Sequence, residues 1–146
     1  MVELRSAKPY DWPDIEDLFA MSKQAAGLGI KSIKSIKGAI IAEESGAFVG
    51  AVIIELLGEV GILSAVAVHL DWQGHGVATA LVSRAVAQAA MSGIGRIFAA
   101  ADDGEGFLLA AGFELERDDL VPLAVRSRMG SRVTRIMSLD CKSDVA

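Results

Sequence analysis

The stretch Asp71-Trp-Gln-Gly-His-Gly-Val-Ala-Thr-Ala-Leu81 is the most informative part of this sequence. Two glycines flank His75, and small apolar residues follow directly, so the chain passes from a strand into a helix through a bend with few side chains. The first N–H groups of a helix lack internal partners and carry partial positive charge. The bend therefore predicts a cradle at residues 73–78, where Gly74 and Gly76 let a diphosphate approach the backbone. A compact turn without a ligand is the alternative.

Two other glycine-rich phosphate sites do not fit this bend. The dinucleotide fingerprint G-x-G-x-x-G/A requires glycine or alanine where Thr79 stands, and no acidic residue ends a second parallel strand at the required distance. The nucleotide P-loop requires Gly-Lys-Ser/Thr, which the sequence lacks. Both classes of nucleotide site are therefore excluded.

The hydrophobic pattern on either side of the bend predicts a mixed α+β sheet in one domain, residues 1–146. Three antiparallel strands form a meander before the bend, and a helix from Val77 to Met91 follows it. A right-handed crossover then makes the next strand parallel to the last strand of the meander. The predicted strands are 2–7, 39–44, 47–57, 60–68, 94–101, one beginning at 112, and 133–139; the other predicted helical segments are 12–25, 31–37, 104–111 and 120–128.

Composition limits the class of protein. The 146 residues are 52% hydrophobic, but no apolar run approaches the roughly 18 residues of a membrane span. The formal net charge of -5, without a basic run, favours neither nucleic acid nor an anionic membrane as partner. The N-terminus lacks the pattern of a secretory signal and Cys141 has no second cysteine to pair with, so we expect a cytoplasmic protein.

The sequence resembles the GCN5-related N-acetyltransferase (GNAT) family. Gln73-Gly-His-Gly-Val-Ala78 matches that family's coenzyme A signature, Gln/Arg-x-x-Gly-x-Gly/Ala, an apolar strand precedes it, and Gly112-Phe113 follows at the expected place. The likeness covers about residues 2–140 and looks nearest to small acetyltransferases similar to N-acetylglutamate synthase, without an amino-acid kinase domain. It implies a mostly antiparallel sheet of six or seven strands flanked by helices, in which a splayed parallel pair forms the cofactor cleft.

The resemblance implies acetyl-CoA as cosubstrate and no metal. Main-chain groups of Val66 and Val68 would pair with the pantetheine arm, the N–H groups of the cradle would hold the diphosphate, and His75 would lie beside it. The residues assigned to acetyl-CoA on this basis are Val66, Ala67, Val68, Gln73, Gly74, His75, Gly76, Val77, Ala78 and Thr79. Two histidines so placed and one distant cysteine predict no metal site.

The implied reaction is attack of a neutral amine on the thioester, with a backbone N–H near Val68 stabilising the oxyanion. Near pH 7 an α-amino group is roughly a tenth neutral, so a weak base acting through water suffices to deprotonate it. The catalytic candidates are Glu55, His69 and Asp102, each with a structural or solvated role as the alternative. Leu108 stands where many family members place a tyrosine general acid, which leaves protonation of the thiolate to water or another group.

We therefore expect an N-acetyltransferase that acts on the primary amine of a small molecule, with amino acids among the candidates. One alternative is a catalytically weak acyl-CoA-binding regulatory or interaction domain, motivated by Leu108 and the absence of an obvious base. Another is a protein lysine or N-terminal acetyltransferase. The resemblance also allows a homodimer formed through the last strands.

Overall fold

The computed structural model describes residues 2–21, 26–27, 38–101, 105–130, 133 and 135–141. The strands are β1 (Val2–Ser6), β2 (Ala26–Gly27), β3 (Ala39–Glu44), β4 (Ala47–Leu57), β5 (Val60–Val68), β6 (Arg96–Ala100), β7 (Glu114–Leu115) and β8 (Ile136–Asp140). The helices are α1 (Trp12–Met21), α2 (Val77–Met91), α3 (Glu105–Ala110) and α4 (Leu123–Met129). The strands form one sheet in the order β1-β3-β4-β5-β6-β8-β7, and β2 pairs separately with β5.

The topology confirms the predicted α+β fold with its single parallel pair. Strands β3, β4 and β5 form the antiparallel meander, and β5 and β6 are parallel across the crossover that contains α2. The two-residue strand β2 was not predicted, because the sequence analysis places no element between the helical segments 12–25 and 31–37. The predicted helical segment at 31–37 and the predicted end of the first helix beyond Met21 lie outside the described residues.

Asp11 directly precedes the first helix, which begins at Trp12 as the sequence predicts. It closes a 3₁₀ turn, Pro9–Asp11, and its carboxylate accepts the Lys8 N–H at 2.7 Å. Arg5 donates to both carboxylate oxygens of Asp11, at 2.8 and 2.9 Å. This ion pair, chiefly through its hydrogen bonds, lowers the pKa of Asp11. Asp11 therefore fastens the turn to β1.

Both faces of the sheet are covered. Helices α2 and α3 pack on one face, where β4 and β5 contribute residues such as Val52 and Val66 to the core. Helix α1 packs on the other face through Ile15, Leu18 and Phe19, and α4 packs further along that face with Val125 and Met129. The alternation of side chains along each strand explains this two-sided core.

Gly50 on β4 sets how closely α2 approaches the sheet. A Cβ atom at this position would lie 3.1 Å from the Ala67 carbonyl oxygen and 3.2 Å from Leu81 Cδ1 of α2. Leu81 is fully buried, so little space exists for it to move. The missing side chain thus lets the N-terminal half of α2 lie against β4 and β5.

Strands β5 and β6 separate at Ser64. Their parallel pairing runs from Val60 opposite Arg96 to Leu63 opposite Ala99. The register between β4 and β5 then shifts, which leaves Ser64 as the extra residue of a β-bulge. Beyond this branch point β5 continues to Val68 beside β4, while β6 no longer pairs with it. We call the side of residues 65–68 that faces away from β4 the diverging edge.

Candidate functional site

The cradle has the open, main-chain character that its sequence predicts. Gly74 and Gly76 have φ angles of 83° and 79°, a region that L-residues with side chains rarely adopt. No heavy atom lies within 4 Å of where a Cβ would stand at either glycine, so both open onto free space. Gly76 is the N-cap of the 15-residue helix α2, whose first turn carries no acidic residue. The arrangement presents N–H groups and a positive helix end to an incoming anion.

Side chains of the cradle tie it to the end of β5. Gln73 Nε2 donates to the Val68 carbonyl oxygen at 3.2 Å. The His75 ring meets the Trp72 ring edge-on, with 5.8 Å between centroids, and Trp72 itself packs against the core under α2. His75 is exposed. These contacts hold the bend in position and keep an imidazole at its rim.

The diverging edge offers main-chain groups of two residues. The His69 N–H donates to the Val49 carbonyl oxygen at 2.7 Å, which fixes the phase of the β4–β5 ladder. Because hydrogen-bonded and non-hydrogen-bonded pairs alternate, the N–H and C=O groups of Val66 and Val68 face away from β4. The same alternation turns the main chain of Ala67 toward β4. On the diverging edge, β2 pairs antiparallel with β5, with Ala26 opposite Val66.

A charged network lies at the branch point. The Ser64 hydroxyl donates to Glu55 Oε2, and Arg128 of α4 donates to Glu55 Oε1 from Nη2 at 2.7 Å and from Nε at 3.2 Å. Ser64 is fully buried, whereas the side chains of Glu55 and Arg128 are 20% and 25% exposed. Both carboxylate oxygens of Glu55 thus already have partners, and the guanidinium offsets the carboxylate charge.

The structure separates the candidate catalytic residues. Glu55 lies at the branch point, whereas His69 follows the last residue of β5 and lies beside the cradle, where its Nδ1 accepts the Asp71 N–H at 3.3 Å. The five residue steps of extended chain from Ser64 to His69 correspond to about 16 Å. The two side chains therefore lie at opposite ends of the diverging edge. Asp102 lies outside the described residues.

Comparison with protein families gives one match over most of the chain. Residues 3–113 match the family model described as Acetyltransferase (GNAT) family. The chain belongs to this family. No curated protein matches the chain. The cradle, the diverging edge, Ser64 and Glu55 lie within the matched region, whereas α4, which carries Arg128, lies beyond it.

Solved structures share the GNAT fold at low identity. N-acetylglutamate synthase from Neisseria gonorrhoeae, complexed with coenzyme A and N-acetyl-glutamate, matches with a TM-score of 0.80 at 21% identity over 97% of this chain and 35% of that chain. Rv2747 from Mycobacterium tuberculosis, in complex with CoA and NLQ, gives 0.76 at 21% identity, covering 94% and 98%. The ribosomal-protein-S18-alanine N-acetyltransferase from Escherichia coli gives 0.66 at 17% identity, covering 97% and 94%.

These likenesses establish the fold. The chain spans about a third of the length of the Neisseria enzyme, so most of that protein has no counterpart in it.

The described residues fit coenzyme A in two respects. The positive φ angles and open space at Gly74 and Gly76 leave room for a diphosphate against the helix end. The main-chain groups of Val66 and Val68 face away from β4, on the edge that runs from the cradle to the branch point, which is the arrangement that pairing with an arm carrying amides requires. Within the described part of the chain, no group of three His, Cys, Asp or Glu side chains could hold a metal ion. No helix there has the length and apolar character of a membrane span.

Leu108, which stands where the resemblance implies a tyrosine in many family members, belongs to the core in this structure. Its side chain is fully buried in the core beneath α2 and α3, in one cluster with Phe113. Its carbonyl oxygen accepts the N–H groups of Ala111 and Phe113 at the end of α3. The position therefore has a packing role in this chain.

Sequence reasoning missed Ser64, Arg128 and the pairing of β2. Ser64 had a readable signal, because it is the one polar residue in the run Gly61–Val68 and a buried polar side chain needs a partner. Arg128 had none, because it lies 73 residues from Glu55 in sequence and meets it only through the packing of α4. The pairing of Ala26 with Val66 likewise depends on the fold.

Proposed function

We propose that this protein is an acetyl-CoA-dependent N-acetyltransferase that acts on the primary amine of a small molecule, with amino acids as the first class to test. The observation that carries the proposal is the continuity of three features: the open double-glycine cradle, the diverging edge of β5, and a carboxylate at the branch point. Membership in the acetyltransferase family supports the type of reaction.

The two ends of the edge define the orientation of the cosubstrate. The cradle would hold the diphosphate through N–H groups of Gly76, Val77 and the next residues, because the helix end favours negative charge without needing a lysine or arginine. The main chain of Val66 and Val68 would bind the amides of the pantetheine arm as a neighbouring strand does. The thioester would then lie near the branch point. The length of the extended strand places it more than about 10 Å from His69.

This orientation favours Glu55 over His69 as the proton acceptor. An amine that enters beside Ser64 would meet the Glu55 carboxylate, directly or through one water, before attacking the thioester carbonyl. A main-chain N–H of the diverging edge would donate to the thioester oxygen as negative charge develops there. His69, next to the cradle, would lie beside phosphate. Leu108 supplies no proton to the departing thiolate, so solvent is the proposed donor.

The neighbours support the substrate class by analogy. The Neisseria structure contains N-acetyl-glutamate together with coenzyme A, which is the reason to test amino acids first. The Escherichia coli enzyme acts on an alanine of a ribosomal protein, which is the reason to include peptide N-termini. An α-amino group suits a weak base, because roughly a tenth of it is already neutral near pH 7.

A second candidate is an acyl-CoA-binding domain without turnover. It is favoured by one observation, that both oxygens of Glu55 are engaged by Ser64 and Arg128. In this case coenzyme A would bind at the cradle and change the affinity for a partner or the oligomeric state, while no amine would be acetylated.

One experiment separates the two candidates. Binding of acetyl-CoA is measured by calorimetry, and release of free thiol is measured with a panel of amino acids, polyamines and peptides with free N-termini. Binding with thiol release for an amino acid supports the proposal, and mass spectrometry of the product identifies the acetylated amine. Binding without release for any amine supports the second candidate. No binding at millimolar acetyl-CoA contradicts both.

A further inference from the structure

The diverging edge of β5 already has hydrogen-bonding partners in this structure. Ala26 of β2 stands opposite Val66 in an antiparallel pair, and the ladder phase turns the N–H and C=O groups of Val66 toward it. Ala26–Val66 is therefore the hydrogen-bonded pair, whereas the main-chain groups of Gly27 face away from β5 and those of Ala65 face β4. The Val68 carbonyl oxygen accepts from the Gln73 side chain. Strand β2 thus covers the central residue of the edge.

We propose that β2 and the pantetheine arm compete for the main chain of Val66, so that coenzyme A binding releases Ala26–Gly27 from β5. The inference rests on the proposed function, since it uses the pantetheine path described above. Each residue has one main-chain donor and one acceptor carbonyl, and a strand edge accommodates one neighbouring strand at about 4.8 Å. The arm and β2 cannot both occupy this position.

The short length of β2 makes the exchange feasible. Two residues give a single hydrogen-bonded pair, whereas β5 remains fixed by β4 along its other side. Removal of β2 therefore leaves the rest of the sheet intact. The stability of the β2–β5 pair therefore sets the fraction of molecules in which the diverging edge is accessible. The apparent dissociation constant for coenzyme A is the intrinsic dissociation constant divided by this fraction.

Substitutions at residue 26 test the competition in both directions. Ala26→Pro removes the N–H that pairs with Val66, so we expect coenzyme A to bind several-fold more tightly in calorimetry. Ala26→Val keeps the N–H and raises β propensity, so we expect weaker binding. Gly27→Pro is the matched control, because its N–H faces away from β5 and its loss leaves the Ala26–Val66 pair intact.

Hydrogen exchange of the unmodified protein gives an independent readout. The Ala26 amide should be protected in the free protein and lose protection when coenzyme A is added. The Val66 amide should stay protected, because it changes partner from β2 to the cosubstrate. This measurement does not depend on any variant folding correctly.

Three results would overturn the inference. Equal coenzyme A affinity in the Ala26→Pro, Ala26→Val and unmodified proteins would show that β2 does not compete. Weaker binding by Ala26→Pro, or greater protection of the Ala26 amide with coenzyme A, would show that β2 helps to hold the cosubstrate. If the unmodified protein and all three variants fail to bind coenzyme A, the proposed function fails together with this inference, whereas the first two results leave it standing.

Discussion

The two ends of the diverging edge are built from different chemical groups. At the cradle, Gly74 and Gly76 expose main-chain N–H groups, and the first turn of α2 has no charged side chain. At the branch point, Glu55 and Arg128 bring opposite charges from β4 and α4 to the buried Ser64. The cradle suits the binding of an anion such as a diphosphate, and the branch point suits the transfer of a proton.

Under the proposed function, affinity for the cosubstrate and the rate of acetyl transfer reside in separate groups. The distance of about 16 Å along β5 exceeds the range of about 7–10 Å within which substitutions usually couple. Substitutions at one end should therefore leave the property of the other end unchanged. The following predictions challenge that separation.

The largest effect is expected from Glu55→Gln. Loss of the proton acceptor should lower kcat by about a hundredfold or more, while the dissociation constant of acetyl-CoA stays unchanged. Steady-state kinetics with the best amine and calorimetry measure the two quantities. Glu59→Gln, in the exposed hairpin between β4 and β5, is the matched control and should retain full kcat. An unchanged kcat in Glu55→Gln would assign Glu55 a structural role only.

A comparable loss, but of affinity, is expected from Gly76→Val. The side chain would fill the open space of the cradle and strain a φ of 79°, so the dissociation constant of coenzyme A should rise on the order of a hundredfold, the equivalent of one or two charge-assisted hydrogen bonds. Gly58→Val, at a φ of 65° in the β4–β5 hairpin, adds similar strain away from the cradle. Equal affinities in the two variants, measured by calorimetry, would contradict a diphosphate site at the cradle.

A third prediction uses a charged pair that lies away from the diverging edge. The pKa of Asp11 is lowered in the folded state, so its ion pair with Arg5 stabilises the protein above the ordinary carboxyl pKa of about 3.9. This stabilisation is lost as the pH falls from the ordinary carboxyl pKa through the lower pKa that Asp11 has in the folded state. Asp11→Asn should lower the free energy of unfolding by about 1–3 kcal/mol at pH 7, and the difference should shrink in acid.

Urea unfolding between pH 2 and 7 checks the Asp11 prediction, with the exposed Asp14→Asn as control. Acetyl transfer at pH 7 should stay normal in both variants as long as they are folded. A difference in stability that persists undiminished at the acidic end would show that the carboxylate charge is not its source.

The smallest effect is expected from His75→Ala. The imidazole at the rim of the cradle would contribute only an exposed contact to phosphate, so the dissociation constant of coenzyme A should rise about two- to fivefold. Calorimetry measures the two dissociation constants, and an unchanged value in His75→Ala would remove His75 from the cofactor site.

The open geometry of the bend and the order of the main elements were predictable from the sequence, because both depend on residues close together in the chain. The glycines at 74 and 76 are two residues apart, and the meander and crossover follow from local periodicity and handedness. The branch point was only partly predictable: Glu55 was named as a candidate, but its partners Ser64 and Arg128 meet it across the fold. The same holds for β2, which pairs with residues about 40 positions further along the chain.

Gly50 links the packing of the core to the position of the cradle. It lies on β4, outside the cradle, and an added methyl group would press on Leu81 and so on the inner side of α2. The N–H groups at the beginning of α2 point along the helix axis. The packing distance between α2 and the sheet therefore determines where these groups lie and point. Under the proposed function, the affinity for coenzyme A therefore depends in part on how closely α2 packs on the sheet, and one carbon atom added at Gly50 would change that affinity.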